Sequence, residues 1–180
     1  MTSSYKNKLE YGNIFEGILF ITKPKLIVEF GILDGYSLDY FLNNTTNETK
    51  ICAYDIFDNF NGNHAKMSII DKYKLYNNVT ISYGDFYNKY NDISDNSIDI
   101  LHIDIANTGD TYINAFEMYL NKLTKNGIMI LEGGSISRDN VYWMNKYNKP
   151  KIIPVLEKYK DKINIKTIGD FPSITLVTKL

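Results

Sequence analysis

Short apolar runs that end in a carboxylate alternate with longer segments of helical periodicity along this 180-residue chain. Strands buried on both faces read as continuous apolar runs, and helices between them indicate a parallel sheet. Five such runs are closed by an acid, and these acids are Glu29, Asp55, Asp85, Asp104 and Glu132. The pattern therefore predicts a doubly wound α/β fold with helices on both faces of the sheet.

The C-terminal segment INIKTIGDFPSITLVTKL breaks this alternation. It contains two strand-like runs joined by only a few residues, and a connection that short cannot cross over a parallel sheet. We therefore expect a mostly parallel, seven-stranded sheet that ends in an antiparallel hairpin. We predict one domain over residues 1–180, with a helical segment at 1–24 and an α/β core at 25–180.

Two internal segments have apolar residues at helical spacing. The periodicity predicts one helix over residues 64–76 and another over 111–123. Asn126 and Gly127 follow the second segment, and this pair is typical of a helix end. The strand that follows is then expected at 128–131.

Charge and composition exclude several classes of function. The net charge is -1 and the isoelectric point about 6.1, so no basic excess is available to hold a nucleic acid backbone over the whole surface, and a local basic patch stays the alternative. Cys52 is the single cysteine, which excludes a disulfide framework, and His64 and His102 lie too far apart for a zinc motif. The polar N-terminus and the lack of an apolar run of about 20 residues predict a cytoplasmic protein without a membrane span.

The segment EFGILDGYS follows the first run and carries two glycines. Gly31 allows a sharp turn, and Gly35 allows close approach of the backbone to a ligand. Their spacing differs from Gly-x-Gly-x-x-Gly, which brings a helix N-terminus against a pyrophosphate. Asp55 ends the second run, where an acid binds a ribose hydroxyl pair, and Asp85 is placed to meet an adenine amine. Because open α/β sheets bind ligands beyond the carboxyl ends of their strands, these residues predict a nucleoside site without a pyrophosphate.

Five segments resemble, in their order and spacing, the motifs of class I S-adenosylmethionine-dependent methyltransferases: VEFGILDGYS, AYDIF, YGDFY, LHIDIANTGDTY and NGIMILEGGS. The first segment is similar to that of small O-methyltransferases related to the catechol type. The resemblance covers roughly residues 13–135 and implies a Rossmann-like methyltransferase fold with S-adenosyl-L-methionine as the cofactor. It implies a cofactor site made of Glu29, Gly31, Gly35, Ser37, Asp55, Ile56, Asp85, Phe86 and Asp104. The first four would contact the methionine moiety, Asp55 the ribose, and Asp85 with Phe86 the adenine.

The resemblance is incomplete at the metal site of the catechol-type enzymes. Those enzymes bind Mg²⁺ through one acid after the fourth strand and an Asp-Asn pair after the fifth. Asp104 fits the first position, but Glu132 and Gly133 replace the pair. A hard cation requires several oxygen ligands, and Gly133 supplies no side chain. We therefore do not expect a metal cofactor, and a divalent metal stays the alternative.

Methyl transfer from a sulfonium is an in-line displacement, and a hydroxyl acceptor must also lose its proton. The resemblance implies that Asp104 lies beside the sulfonium and the acceptor, and we expect it to be the catalytic base or a positioning group. His102 precedes it by two residues and is the second catalytic candidate, with a core histidine as the alternative. His64 is a weaker candidate. Arg138 is expected to bind an acceptor carboxylate or phosphate, or to pair with Asp139 or another surface acid.

These features predict a methyltransferase that acts on oxygen of a small molecule or a sugar. The first alternative is an NAD-type oxidoreductase, whose glycine signature is lacking. The second is a non-catalytic nucleoside-binding domain, which the intact Gly31, Gly35 and Asp55 disfavour. The expected partner is a small-molecule methyl acceptor, with no nucleic acid and no membrane. The sequence leaves the oligomeric state open, a homodimer included.

Overall fold

The fold is known from a computed structural model that describes Tyr5 and residues 9–57 and 65–180. The described residues form a seven-stranded sheet with strand order β3-β2-β1-β4-β5-β7-β6. The strands are β1 (Leu26–Phe30), β2 (Lys50–Asp55), β3 (Val79–Tyr83), β4 (Ile98–Ile103), β5 (Leu123–Glu132), β6 (Ile163–Gly169) and β7 (Ser173–Lys179). Strands β1 to β5 are parallel, and β7 is antiparallel to both β5 and β6. The predicted doubly wound sheet with a C-terminal antiparallel hairpin is confirmed.

Helices cover both faces of this sheet. They are α1 (Leu9–Thr22), α2 (Tyr36–Asn43), α3 (Ile69–Tyr73), α4 (Phe86–Lys89), α5 (Gly109–Tyr119), α6 (Ile136–Asp139), α7 (Tyr142–Lys146) and α8 (Ile153–Tyr159). Buried side chains of α1, α2 and α3 share one apolar cluster with Ile27, Ile51 and Ile100 of the sheet. Side chains of α4, α5 and α8 share the second cluster with Val28 and Leu101, which alternate with the first set along the strands. The central strands are therefore apolar on both sides, which explains their continuous apolar runs.

Two predicted boundaries were wrong. Helix α5 ends at Tyr119, and β5 already begins at Leu123, so Asn126 and Gly127 lie inside a strand and do not end a helix. The reason is tertiary, because Leu123 is fully buried and pairs with Ile98 before the register of β4 and β5 shifts. The helix predicted over 64–76 is observed only as α3, with residue 64 outside the described ranges.

Within the described ranges, no helix is both long and apolar enough to cross a lipid bilayer.

Candidate active site

The carboxyl ends of the parallel strands lie along one edge of the sheet. The amide of Gly31, just past β1, donates to the carbonyl of Tyr54 on β2 at 2.9 Å. The amide of Asp104, just past β4, donates to the carbonyl of Phe30 on β1, also at 2.9 Å. The loops that follow β1, β2 and β4 are therefore direct neighbours, as expected for a ligand site in an open α/β sheet.

Gly31 packs against the backbone of the loop after β4. Its φ is 89°, and a Cβ built on it would lie 2.1 Å from the carbonyl oxygen of Asp104. No side chain other than hydrogen fits at that distance, so the glycine is required for the contact between these two loops. Gly35 is the residue before α2, where its φ is 80° and its carbonyl accepts a hydrogen bond from Tyr73 Oη at 3.2 Å.

Glu29 is the centre of a buried polar group. Its Oε1 accepts a hydrogen bond from Ser37 Oγ, and His102 Nδ1 lies 2.8 Å from the same oxygen. Glu29 and His102 are fully buried, and the His102 ring packs 5.5 Å from Phe15 and 5.6 Å from Phe41 between ring centroids. This environment is the one expected for a core histidine, the alternative that the sequence left open.

Asp55 holds the loop after β1. Its Oδ2 accepts the amide of Ile32 at 2.8 Å, and its Oδ1 accepts the amide of Phe57 at 2.8 Å. The carboxylate therefore fixes the backbone of two adjacent loops and is itself buried. Ile56, between Asp55 and Phe57, is half-buried in the same loop.

Asp85 and Phe86 begin helix α4. Asp85 is the N-cap, and its Oδ1 accepts the amide of Tyr87 at 3.0 Å. Phe86 is buried and stacks on Tyr119, with ring centroids 5.0 Å apart and an interplanar angle of 14°. The aromatic ring of Phe86 thus belongs to the apolar core beneath α4, and Asp85 lies above it at the edge of the sheet.

Asp104 has a carboxyl group with a strongly raised pKa. Burial and, after it, the negative charge of the neighbouring Glu132 raise its pKa from 3.8 to about 7, against the opposing effects of His102 and Arg138. Asp104 and Glu132 follow register partners on adjacent strands, Ile103 and Leu131, so the two acids are neighbours across the sheet. Like charges so close disfavour simultaneous ionisation.

Glu132 is paired with Arg138, which lies on the short helix α6. Arg138 Nε donates to Oε1 of Glu132 at 2.6 Å, and Nη2 donates to Oε2 at 2.8 Å, with both residues less than a tenth exposed. The alternative that Arg138 pairs with Asp139 or another surface acid is not observed, since its partner is the buried Glu132. Asp139 instead accepts the amides of Ile152 and Ile153 at 2.8 and 2.9 Å, which leaves the guanidinium to Glu132.

Two residues near these acids were not predicted. Asn107 is fully buried and donates through Nδ2 to the carbonyls of Ile103 and Glu132 at 2.9 and 2.8 Å. Tyr5 is buried, and desolvation together with the charges of Asp104 and Glu132 raises the pKa of its phenol. Neither residue has a sequence signal, because the bond from Asn107 to Glu132 and the surroundings of Tyr5 both depend on residues far along the chain. The candidate His64 lies outside the described residues.

A family model described as Methyltransferase domain matches residues 28–132, which is more than half of the chain. Comparison with curated protein sequences found no match.

Several solved structures share the fold. The S-adenosylhomocysteine-bound methyltransferase PaMTH1 from Podospora anserina aligns with a TM-score of 0.71 at 18% identity, over 100% of this chain and 80% of that one. An O-methyltransferase from Bacillus cereus in complex with S-adenosylhomocysteine aligns with a TM-score of 0.69 at 14% identity, over 99% and 84%. A methyltransferase from Geobacter sulfurreducens has a TM-score of 0.64 at 18% identity, over 95% and 78%. The chain therefore belongs to the family described as Methyltransferase domain, and its fold is that of these solved methyltransferases.

Proposed function

We propose that this methyltransferase transfers the methyl group to a hydroxyl oxygen of a small molecule or a sugar, with Asp104 as the base. The observation that carries the proposal is the environment of Asp104 at the end of β4. Burial and the adjacent Glu132 raise the pKa of its carboxyl group to about 7. A base whose pKa lies near neutrality both accepts a proton from the acceptor and releases it to water within each cycle.

The proposed step conserves atoms and charge. The Asp104 carboxylate takes the proton of the acceptor hydroxyl as the acceptor oxygen forms a bond to the methyl carbon. The carbon–sulfur bond breaks, and its electron pair stays on sulfur, which converts the sulfonium into the neutral thioether S-adenosylhomocysteine. Alignment of oxygen, methyl carbon and sulfur in a site without water accounts for most of the catalysis.

We propose that the cofactor's methionine moiety lies over the loop from Gly31 to Ser37. Support comes from Glu29, whose Oε2 is buried and has no hydrogen-bond partner among the described residues. That oxygen is an acceptor available to the ammonium group of the methionine moiety. His102 is proposed to act through Glu29, and not on the acceptor, because its ring is enclosed by the core.

The remaining cofactor contacts are proposed for the loops after β2 and β3. Asp55 accepts the amides of Ile32 and Phe57, and we propose that the same carboxylate accepts the ribose hydroxyl pair. Ile56 lies beside it, and Asp85 with the backbone of Phe86 is proposed to flank the adenine. Asp85 is half-buried at the start of α4, which leaves part of its carboxylate accessible to an exocyclic amine.

The proposal is tested with isotopically labelled S-adenosylmethionine and a panel of sugars, phenols and amines as acceptors. Mass spectrometry of the products then identifies the methylated atom. We expect methyl ethers, and we expect Asp104→Asn to lose at least a hundredfold in turnover while it binds S-adenosylhomocysteine as the wild type does. Methylation of amines alone, or full turnover by Asp104→Asn, would contradict the proposal.

A further inference from the structure

The ion pair of Glu132 and Arg138 lies where the catechol-type enzymes have their second metal-binding acid. Glu132 ends β5, and a single guanidinium engages both oxygens of its carboxylate, through Nε at 2.6 Å and Nη2 at 2.8 Å. Such bidentate geometry uses the lone pairs that point toward the guanidinium plane. The positive charge that Glu132 binds is therefore the guanidinium of Arg138.

The Arg138 side chain also passes over the position of the next metal ligand. Gly133 stands where those enzymes have the amide of their Asp-Asn pair. A Cβ built on Gly133 would lie 3.4 Å from Cγ of Arg138 and 2.8 Å from Cδ1 of Ile152. A side chain at 133 would therefore collide with Ile152 unless that side chain moved, and it would lie in van der Waals contact with the arginine stem.

The guanidinium is held on its other sides as well. Nη2 donates to the carbonyl of Asn107 at 3.1 Å, and the ring of Trp143 lies 5.1 Å from the guanidinium carbon. Arginine side chains commonly stack on aromatic faces in this way, and the contact restricts the position of the guanidinium. Nη1 is buried and has no hydrogen-bond partner among the described residues, so one donor nitrogen remains available.

This donor set does not fit a divalent metal. A hard cation such as Mg²⁺ takes six oxygen ligands in an octahedral array. Of the three positions that supply ligands in the catechol-type enzymes, Asp104 alone keeps a carboxylate that Arg138 does not engage. Glu132 is engaged on both oxygens, and Gly133 has no side chain.

We infer that Arg138 takes the place of the divalent cation of the catechol-type enzymes and supplies the fixed positive charge beside Asp104 and the methyl acceptor. The inference rests on the proposed function. The Arg138 charge offsets that of Glu132, which leaves the Asp104 carboxylate uncoordinated and able to accept the acceptor proton. The remaining donor, Nη1, can donate a hydrogen bond to the oxygen of the methyl acceptor. This hydrogen bond would take the place of the coordination of that oxygen by a metal ion.

The test uses Mn²⁺ as a probe, because binding removes the electron paramagnetic resonance signal of the free ion. The full chain, saturated with S-adenosylhomocysteine, is titrated as wild type, Arg138→Met, Arg138→Lys and Lys160→Met. Lys160 pairs with Glu157 at 3.0 Å on the exposed surface and controls for the loss of one positive charge. We expect no saturable binding to the wild type, Arg138→Lys or Lys160→Met, and at least tenfold tighter binding to Arg138→Met, in which Glu132 is free.

Saturable submillimolar binding to the wild type, or equal affinity in wild type and Arg138→Met, would overturn the inference. If Arg138→Met does not fold, the wild-type titration decides alone. Calorimetry with S-adenosylhomocysteine on the same samples separates the two proposals. A wild type that does not bind it contradicts the proposed function, whereas a wild type that binds both it and Mn²⁺ contradicts only the role of Arg138.

Discussion

His102 Nδ1 lies 2.8 Å from Oε1 of Glu29, and both side chains are fully buried. The two residues are register partners on the neighbouring strands β4 and β1, so the alignment of the sheet itself produces the contact. Ser37 donates to the same oxygen and connects the first turn of α2 to β1. The carboxylate is thereby fixed directly beneath the loop that we propose to contact the cofactor.

Replacement of His102 by leucine should destabilise the fold. Glu29 would keep Ser37 but lose a buried partner, and an under-satisfied buried group costs about 1–3 kcal/mol. Urea denaturation followed by circular dichroism measures the loss. The double variant Glu29→Met/His102→Leu is the control, because the replacement of both partners by apolar groups should recover most of the stability. A His102→Leu variant as stable as the wild type would show that the contact contributes nothing.

Gly31→Ala should be strongly destabilising. The new methyl group would lie 2.1 Å from the Asp104 carbonyl oxygen, on a residue whose φ is 89°. Backbone strain and overpacking together should cost about 2 kcal/mol or more. Gly17 provides a matched control, since it lies in helix α1 and a Cβ there would have nothing within 4 Å. Gly17→Ala is expected to be neutral or to stabilise by up to about 1 kcal/mol. Equal stabilities of the two variants by chemical denaturation would refute the close contact.

The raised pKa of Asp104 predicts how stability depends on pH. Its carboxyl group titrates at about 7 in the folded protein, above the ordinary value of 3.8, so the native state binds the proton more tightly than the unfolded chain does. Stability should therefore fall as the pH rises from about 4 to about 7, by about 1.4 kcal/mol for each unit of pKa difference. Asp104→Asn removes this contribution, so the wild type should lose stability relative to Asp104→Asn across that window. Thermal melts at a series of pH values measure the stability of both proteins. If the stability of the two proteins changed with pH in the same way, the raised pKa of Asp104 would be contradicted.

Elements whose apolar periodicity agrees with their final burial could be predicted from the sequence. The five strand ends and the C-terminal antiparallel pair are observed. The boundary near Leu123 could not be predicted, because Asn126 and Gly127 carry a strong local signal for a turn. The pairing of Leu123 with Ile98 across the sheet overrides that signal.

The polar pairs of the site were harder to predict than the acids. The positions of Asp104 and Glu132 at strand ends follow from the pattern of apolar runs. The partner of Arg138 does not, because two intervening glycines and a short helix decide the direction in which its side chain runs. Likewise, the Glu29 and His102 pair depends on strand order and register, which a single sequence does not reveal.

The central claim is that the strand ends hold a nucleoside with a sulfonium, and calorimetric titration with S-adenosylhomocysteine tests it most directly. Asp99 provides the control for Asp55, because its carboxylate also accepts two backbone amides, those of Lys25 and Leu26 at 2.8 and 3.1 Å, near the opposite edge of the sheet. We predict micromolar binding to the wild type and to Asp99→Ala, and at least a hundredfold weaker binding to Asp55→Ala. No binding to the wild type, or wild-type affinity in Asp55→Ala, would contradict the account.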